Sequence, residues 1–285
     1  MPSRQPATAQ TQAASFLANL GLDGSRVAEL ATIRYDKRLT AANAAKFSAS
    51  SEIDPDFYPA PVIKDGKFSP LATKIPLIVS STLGEFASNH FKLAIPSATN
   101  PLDDAYRPNV SAARVQELLK QKYGSKTDDI VKAFRKGFPT HDLFDLLYVD
   151  GGANSFSATR LQVADAKAAQ AAEGGAPVNV SEYAWNLPIF GGVTAHHTGG
   201  DLPLVLNNID KVAYVFAGDR RNAERIADES SSGLISFLHY GDPGKLSKVS
   251  WPEYKQGQGA TLVYDAPTHV RNNPDRDFQE LLAAK

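Results

Sequence analysis

Apolar positions recur along the chain in two rhythms, one helical and one short and continuous. Phe16, Leu17 and Leu20 fall on one side of residues 11–20, and Gly21 is placed to stop a helix there. Val27, Leu30 and Ala31 predict a second short helix from Ser25, and the alanine-rich residues 40–47 a third. The stretch that follows, SASSEIDPDFYPAPVIKDGKFSP, is dense in Ser, Pro and Asp and has no sustained period, so an ordered loop is expected. KIPLIVSS, residues 74–81, is a short apolar run with turn-prone flanks and reads as a strand covered on both faces.

Beyond it, Ser111 is placed to cap a helix carrying Val115, Leu118, Leu119 and Tyr123, which Gly124 ends. The next helix starts near Ser125 or Thr127 with Asp128 and Asp129 in its first turn and Lys132, Arg135 and Lys136 toward its last, matching the macrodipole; Gly137 and Pro139 close it. Ser157 is the expected cap of a helix running to Ala172, followed by a strand over residues 177–185. Residues 220–239 form the longest helical pattern, stopped by Gly241-Asp242-Pro243, and residues 260–264 read as a last short strand.

With 285 residues, 42% apolar and 21% charged, the chain has enough material for a sizeable core, and whole-chain disorder is excluded. Thirty basic against 31 acidic residues leave a net charge of -1, which argues against nucleic acid or an anionic membrane as a partner. Without cysteine, disulfides, thiolate metal ligands and cysteine nucleophiles drop out, and a reducing compartment fits. The opening residues lack an apolar signal region and no run reaches the roughly 18 apolar residues of a membrane span, so a cytoplasmic protein is expected.

Two places have a physical claim to chemistry. Glu85 lies just beyond the end of an apolar strand, where open α/β sheets place catalytic groups, although acids there also serve as solvated charges or helix caps. Ala195-His196-His197-Thr198-Gly199-Gly200-Asp201 puts two histidines in a glycine-rich loop. An imidazole there can act as a general base because it titrates near working pH. The same loop also admits exposed histidines without a role, or metal ligands, though no recognised metal-binding spacing is present.

IPLIVSSTLGEF, PIFGGVTAHHTGGDLPLVLNNID, LISFLHYGDPG and WPEYKQGQGATLVYD, in this order, resemble the C-terminal half of type B carboxylesterases. The early helices ASFLANLGL and the alanine-rich SATRLQVADAKAAQAA before PVNVSEYAW extend the resemblance from about Ala13 to the end. It implies the C-terminal part of an α/β-hydrolase fold, with a few mainly parallel strands and many helices, incomplete without an N-terminal half. Residues 1–73 are then a helical and loop excursion, and residues 74–285 hold the acid-bearing and histidine-bearing strands. By position, Glu85 matches the triad acid and His197 the catalytic histidine, with His196 the runner-up because the distance from His197 to Asp201 is one residue longer than in the family. Leu204 stands where the family has an aromatic, and Phe190 becomes a candidate wall of the substrate pocket. No metal or organic cofactor is required.

The family's serine sits in a G-x-S-x-G elbow ahead of the acid, and this sequence contains neither that motif nor an HGGG-like oxyanion segment. Ser80, Ser81, Ser155 and Ser236 lack the paired glycines that the strained turn demands. The resemblance therefore implies that this polypeptide starts after the elbow, and that the serine and oxyanion donors come from a second chain in a hetero-oligomer acting on small ester substrates. The competing readings are a non-catalytic esterase-like binding protein and a truncated inactive fragment.

Overall fold

A computed structural model describes residues 6–47, 53–54, 56–85, 110–149, 155–192, 196–244 and 249–284. The chain divides into two compact units, Met1–Asp65 and Gly66–Lys285. In the first, helix α1 (Pro6–Ala18) begins on a proline, whose missing N–H would have had no partner in a first turn, and so starts ahead of the expected residue. Gly21, at φ +70°, turns the chain, and the Leu22 N–H returns to the Leu17 carbonyl at 2.9 Å. The second expected helix is a 3-10 helix, Gly24–Ala31, capped by Asp23, and the third, α2, covers Tyr35–Ala44.

The second unit is built on a four-stranded sheet in the order β1 (Leu77–Thr82), β2 (Val178–Tyr183), β3 (Ala260–Tyr264), β4 (His269–Asn272). The first two pairings are parallel, and β3 with β4 is antiparallel. The fourth strand and the helix after it extend the expected architecture, in which β3 was the last element. Between the strands lie α3 (Ala112–Tyr123), α4 (Thr127–Gly137), α5 (Phe156–Ala172) and α6 (Arg220–Tyr240), and α7 (Arg276–Ala283) follows β4. Ser111 caps α3 as expected, whereas α5 is capped by Ser155 in place of Ser157. The Ser155 hydroxyl accepts from the Ala158 N–H at 3.1 Å, and Ser157 is buried inside the first turn.

Alternation along β3 divides the core. Val263 packs with Leu119, Ile130, Phe134, Leu146 and Phe278 on the face covered by α3, α4 and α7. Leu262 and Tyr264 pack with Trp185, Phe216, Ile226 and Trp251 on the α6 face. Val178 and Val180 of β2 meet Ala164 and Ala168 of α5, so β2 is buried along its whole length, as a strand with helices on both sides must be. Each large side chain that is fully enclosed here, such as Phe134 or Phe216, contributes about 1.5–3 kcal/mol. Within α6, Gly233 lets the Trp251 ring approach to 3.0 Å of where a Cβ would stand. That approach lets the indole N–H reach the Val180 carbonyl at 3.0 Å. This scaffold brings the C-terminal ends of β1 and β2 side by side, with the turn after β1 and the histidine loop after β2 at the same end.

Candidate active site

The parallel ladder continues past the last residue of β1. The Leu83 N–H donates to the Tyr183 carbonyl at 2.9 Å, which carries the chain into the turn Leu83-Gly84-Glu85. There the partner changes from β2 to the histidine loop: the Gly84 N–H donates to the His196 carbonyl at 2.9 Å, and the Thr198 N–H to the Glu85 carbonyl at 3.1 Å. One Glu85 carboxylate oxygen accepts the Thr82 N–H at 2.7 Å, and the other accepts the Thr198 hydroxyl in a short hydrogen bond. The acid is thus fixed at both oxygens, one to its own strand and one to the residue that follows His197. Segments 113 positions apart in sequence are held together by these bonds.

The two histidines live in opposite surroundings. His196 is fully buried, tilted against Tyr183 with ring centroids 5.2 Å apart, and its Nδ1–H donates to the Trp185 carbonyl at 2.9 Å. Desolvation pushes its imidazole down to about 3, so at neutral pH it is uncharged, and its Nε2 is buried without a partner. His197 is half-buried and lines an apolar cleft. Its Nδ1 donates to the Thr198 carbonyl at 3.0 Å, which in the neutral ring leaves Nε2 as the basic nitrogen. Of the two, His197 is the one that borders a cleft a reactant can enter.

Around this pair the structure gathers acids that the sequence pattern did not single out. Asp201, at the start of the one-turn helix Leu202–Val205, has its carboxyl raised first by desolvation and then by the charge of Glu85. Glu182, on β2 opposite Ser81, is fully buried, and its carboxyl is pushed up to about 8 by desolvation, with Asp275 and Glu85 adding to the rise and Arg160 opposing it. Arg160 holds Asp275 at 2.5 Å and lies 3.8 Å from Glu182, all three side chains being buried. A second buried cluster, next to the C-terminal end of β3, has His141 between Asp145 at 2.9 Å and Asp265 at 3.1 Å. Burial alone would raise Asp265, but the hydrogen bond and charge of His141 more than offset it and hold that carboxyl below the usual range. Both ring nitrogens of His141 are engaged, so it serves as a clamp.

The serines have structural employment. Ser80 accepts from the Ser181 hydroxyl at 2.9 Å, Ser155 caps α5, Ser236 donates to the Asp242 carbonyl at 2.7 Å, and Ser81 is buried in the β1 ladder. Phe190 belongs to the 3-10 turn Ile189–Gly192, but its side chain lies outside the described residues, as do residues 193–195 of the histidine loop. Among the described residues no group of three His, Asp or Glu side chains is arranged to hold a metal ion, and no helix is long and apolar enough to cross a membrane.

The sheet, its covering helices and the acid and histidine loops at the strand ends define an α/β-hydrolase fold, present here over part of its usual extent. Solved structures that share it include carboxylesterases and other esterases. An esterase from Clostridium hathewayi, described as hydrolysing aliphatic aromatic polyesters, superposes with a TM-score of 0.76 at 22% identity, covering 99% of this chain and 53% of its own. A PNB esterase gives a TM-score of 0.62 at 19% identity over 100% of this chain and 55% of its own. A carboxylesterase from Geobacillus stearothermophilus gives 0.57 at 21% identity over 98% and 54%. The chain spans about half the length of these structures. Neither a protein-family model nor a curated protein matches it.

Proposed function

We propose that this chain is the acid-and-base portion of a serine carboxylic ester hydrolase, working in the cytoplasm with a nucleophile-bearing N-terminal esterase half on a partner polypeptide. The observation that carries the reading is the double grip of Glu85 on its own strand and on Thr198, which sets an acid and the His197 loop side by side at the strand ends. In the reaction, His197 Nε2 takes the proton of the partner's serine hydroxyl as the oxygen attacks the ester carbonyl. It then returns that proton to the departing alcohol, and the same cycle with water releases the acid. Glu85 takes the part of the triad acid through the loop: its carboxylate is bonded to Thr82 and Thr198 and not to His197, whose Nδ1 donates to the Thr198 carbonyl, so the acid orients the histidine loop by way of Thr198. His196, buried and neutral, supports the loop without moving protons.

The test is reconstitution with a GxSxG-bearing half and a short-chain p-nitrophenyl ester. Deleting His197 with alanine is expected to lower kcat by about a thousandfold or more, whereas His196→Asn leaves the pH profile of the reaction unmoved. A His197→Ala variant as active as the parent overturns the assignment. Labelling of this chain alone by a serine-reactive phosphonate would refute the partner-supplied nucleophile.

A further inference from the structure

Strand β4 ends the sheet on the side away from β1, and among the described residues it has a ladder partner on one side only. Across the antiparallel ladder Arg271 faces Thr261 and His269 faces Val263, and the Asn273 N–H donates to the Gly259 carbonyl at 2.8 Å. Bonded and open pairs alternate along such a ladder, so Arg271 and His269 spend their backbone groups on β3, and Val270 and Asn272 turn theirs to the open edge. Side chains alternate as well: His269 and Arg271 stand with Val263 on the α4 face, and Val270, 38% exposed, stands on the other. Along this edge runs a groove of about 380 Å³ whose second wall is the last turn of α4. Gly137 brings that turn against the exit of the strand, since a Cβ there would stand 1.6 Å from the Pro274 carbonyl oxygen. In the groove the Lys136 ammonium is held by Asp277 at 2.5 Å. The Arg271 guanidinium, half-buried, donates to the Lys136 carbonyl at 3.3 Å, and no carboxylate among the described residues pairs with it.

We propose that this edge is a docking surface for an extended segment of another protein, one whose side chains alternate between acidic and apolar, added to the sheet as a further strand beside β4. Opposite residues of neighbouring strands share a face, so the residue opposite Val270 meets its exposed side chain, and those opposite His269 and Arg271 point into the groove beside the guanidinium. A carboxylate there gains a charge-assisted, planar partner that this chain leaves unmatched, while Val270 and Asn272 supply the N–H and C=O groups that align the incoming backbone. A charge on an edge strand also discourages indiscriminate pairing, and it does so by penalising strands that bring no acid. A second copy is such a strand: antiparallel pairing sets Arg271 opposite Arg271 or His269 of that copy. The surface lies at the far edge of the sheet from β1 and does not depend on the esterase reading.

The full chain is titrated into a fluorescently labelled, end-blocked peptide Thr-Glu-Val-Glu-Thr, and anisotropy is followed. Saturable binding with a Kd below about 1 mM is expected, the peptide Thr-Lys-Val-Lys-Thr being weaker by at least about tenfold, and the acidic peptide N-methylated along its backbone weaker by as much. Val270→Pro removes an outward N–H without touching the ladder, so circular dichroism should match wild type while affinity falls by at least about tenfold. Arg271→Glu is expected to reverse the preference between the acidic and basic peptides. Equal binding of the two peptides, binding undiminished by N-methylation, or no saturation by about 1 mM overturns the proposal. A folded Val270→Pro chain that binds like wild type does the same, and where that variant does not fold the N-methylated peptide decides. Displacement of the peptide by an equal concentration of free glutamate would mark a small-anion site, and a dimer in sedimentation velocity that Val270→Pro dissolves would mark self-pairing; either refutes the docked strand.

Discussion

Two neighbouring imidazoles, His196 and His197, have different surroundings, one fully buried and the other half-buried. His196 held at about 3 cannot gain a proton across the physiological range, so its NMR ring signals are expected to stay fixed between pH 5 and 8. The linked stability has a definite sign. Unfolded, the ring protonates near 6.5 and folded it does not until about 3, so its contribution is complete above 6.5 and is lost as pH falls from there toward 3. Urea unfolding of wild type and His196→Asn over that window checks it: the variant should lack this part of the acid slope. Thr198 carries a second expectation. Its hydroxyl is the donor to Glu85, so Thr198→Val should lower kcat of the reconstituted enzyme by about 10–100-fold with KM little changed, and Thr198→Ser should restore it. A role in folding alone would show up as lost stability without this rescue of kcat.

Elements differ in how plainly the sequence announces them. Strands β1, β2 and β3 were readable because buried parallel strands are short apolar runs bounded by turn residues, and α3, α4 and α6 because caps, charges and stop signals agreed with their apolar spacing. His269–Asn272 was not, since the edge strand alternates half-buried and exposed residues and carries a charge. Nor was α7, whose preceding Asp275 makes no side-chain cap and is committed to Arg160. The candidate site followed the same divide: Glu85 and His197 stand out by position in loops, but Glu182 sits in the apolar strand pattern of β2 and becomes visible only when α5 and α7 bring Arg160 and Asp275 to it. One guanidinium faces two carboxylates there, and the proton on Glu182 balances the third charge. Because its folded value is raised from 4.5 to about 8, its stability contribution is complete below 4.5 and is lost as pH climbs to about 8, the opposite direction to His196. Glu182→Gln, neutral at every pH, should remove a decline of a few kcal/mol between pH 5 and 9 in chemical unfolding. A decline equal to wild type would place the charge elsewhere in the cluster. At the other cluster, His141→Ala leaves Asp145 and Asp265 facing each other with the imidazole gone, and a loss of about 3–5 kcal/mol is expected in the same measurement.

On the scale of the whole molecule, the half-length match to the esterase structures has a counterpart in what the second unit leaves uncovered. Strand β1 is at the end of the sheet, with a ladder partner on one side among the described residues, and Leu77, Ile78 and Val79 are only half-buried on it. A parallel strand normally has neighbours and helices around it, and an apolar strand edge left open invites association. Helix α6 presents an apolar stripe near its C-terminal end, where Ile235 is 51% and Leu238 73% exposed. That end lies against the start of β1, since a Cβ on Gly241 would stand 3.1 Å from Pro76 Cγ. Open strand edge and apolar helix stripe therefore form one region. Under the proposed function this is where the N-terminal half docks. The double variant Ile235→Glu/Leu238→Glu removes apolar surface that none of the described residues covers, so its melting temperature should stay within about 2 °C of wild type and its self-association in sedimentation velocity should fall. Titrated with the GxSxG-bearing half, the same variant should need at least about tenfold more partner to reach full esterase activity, because two buried leucine-sized contacts are replaced by desolvated charges. An unchanged titration curve would mean that the partner does not sit on α6, and would leave the β1 edge as the place to look.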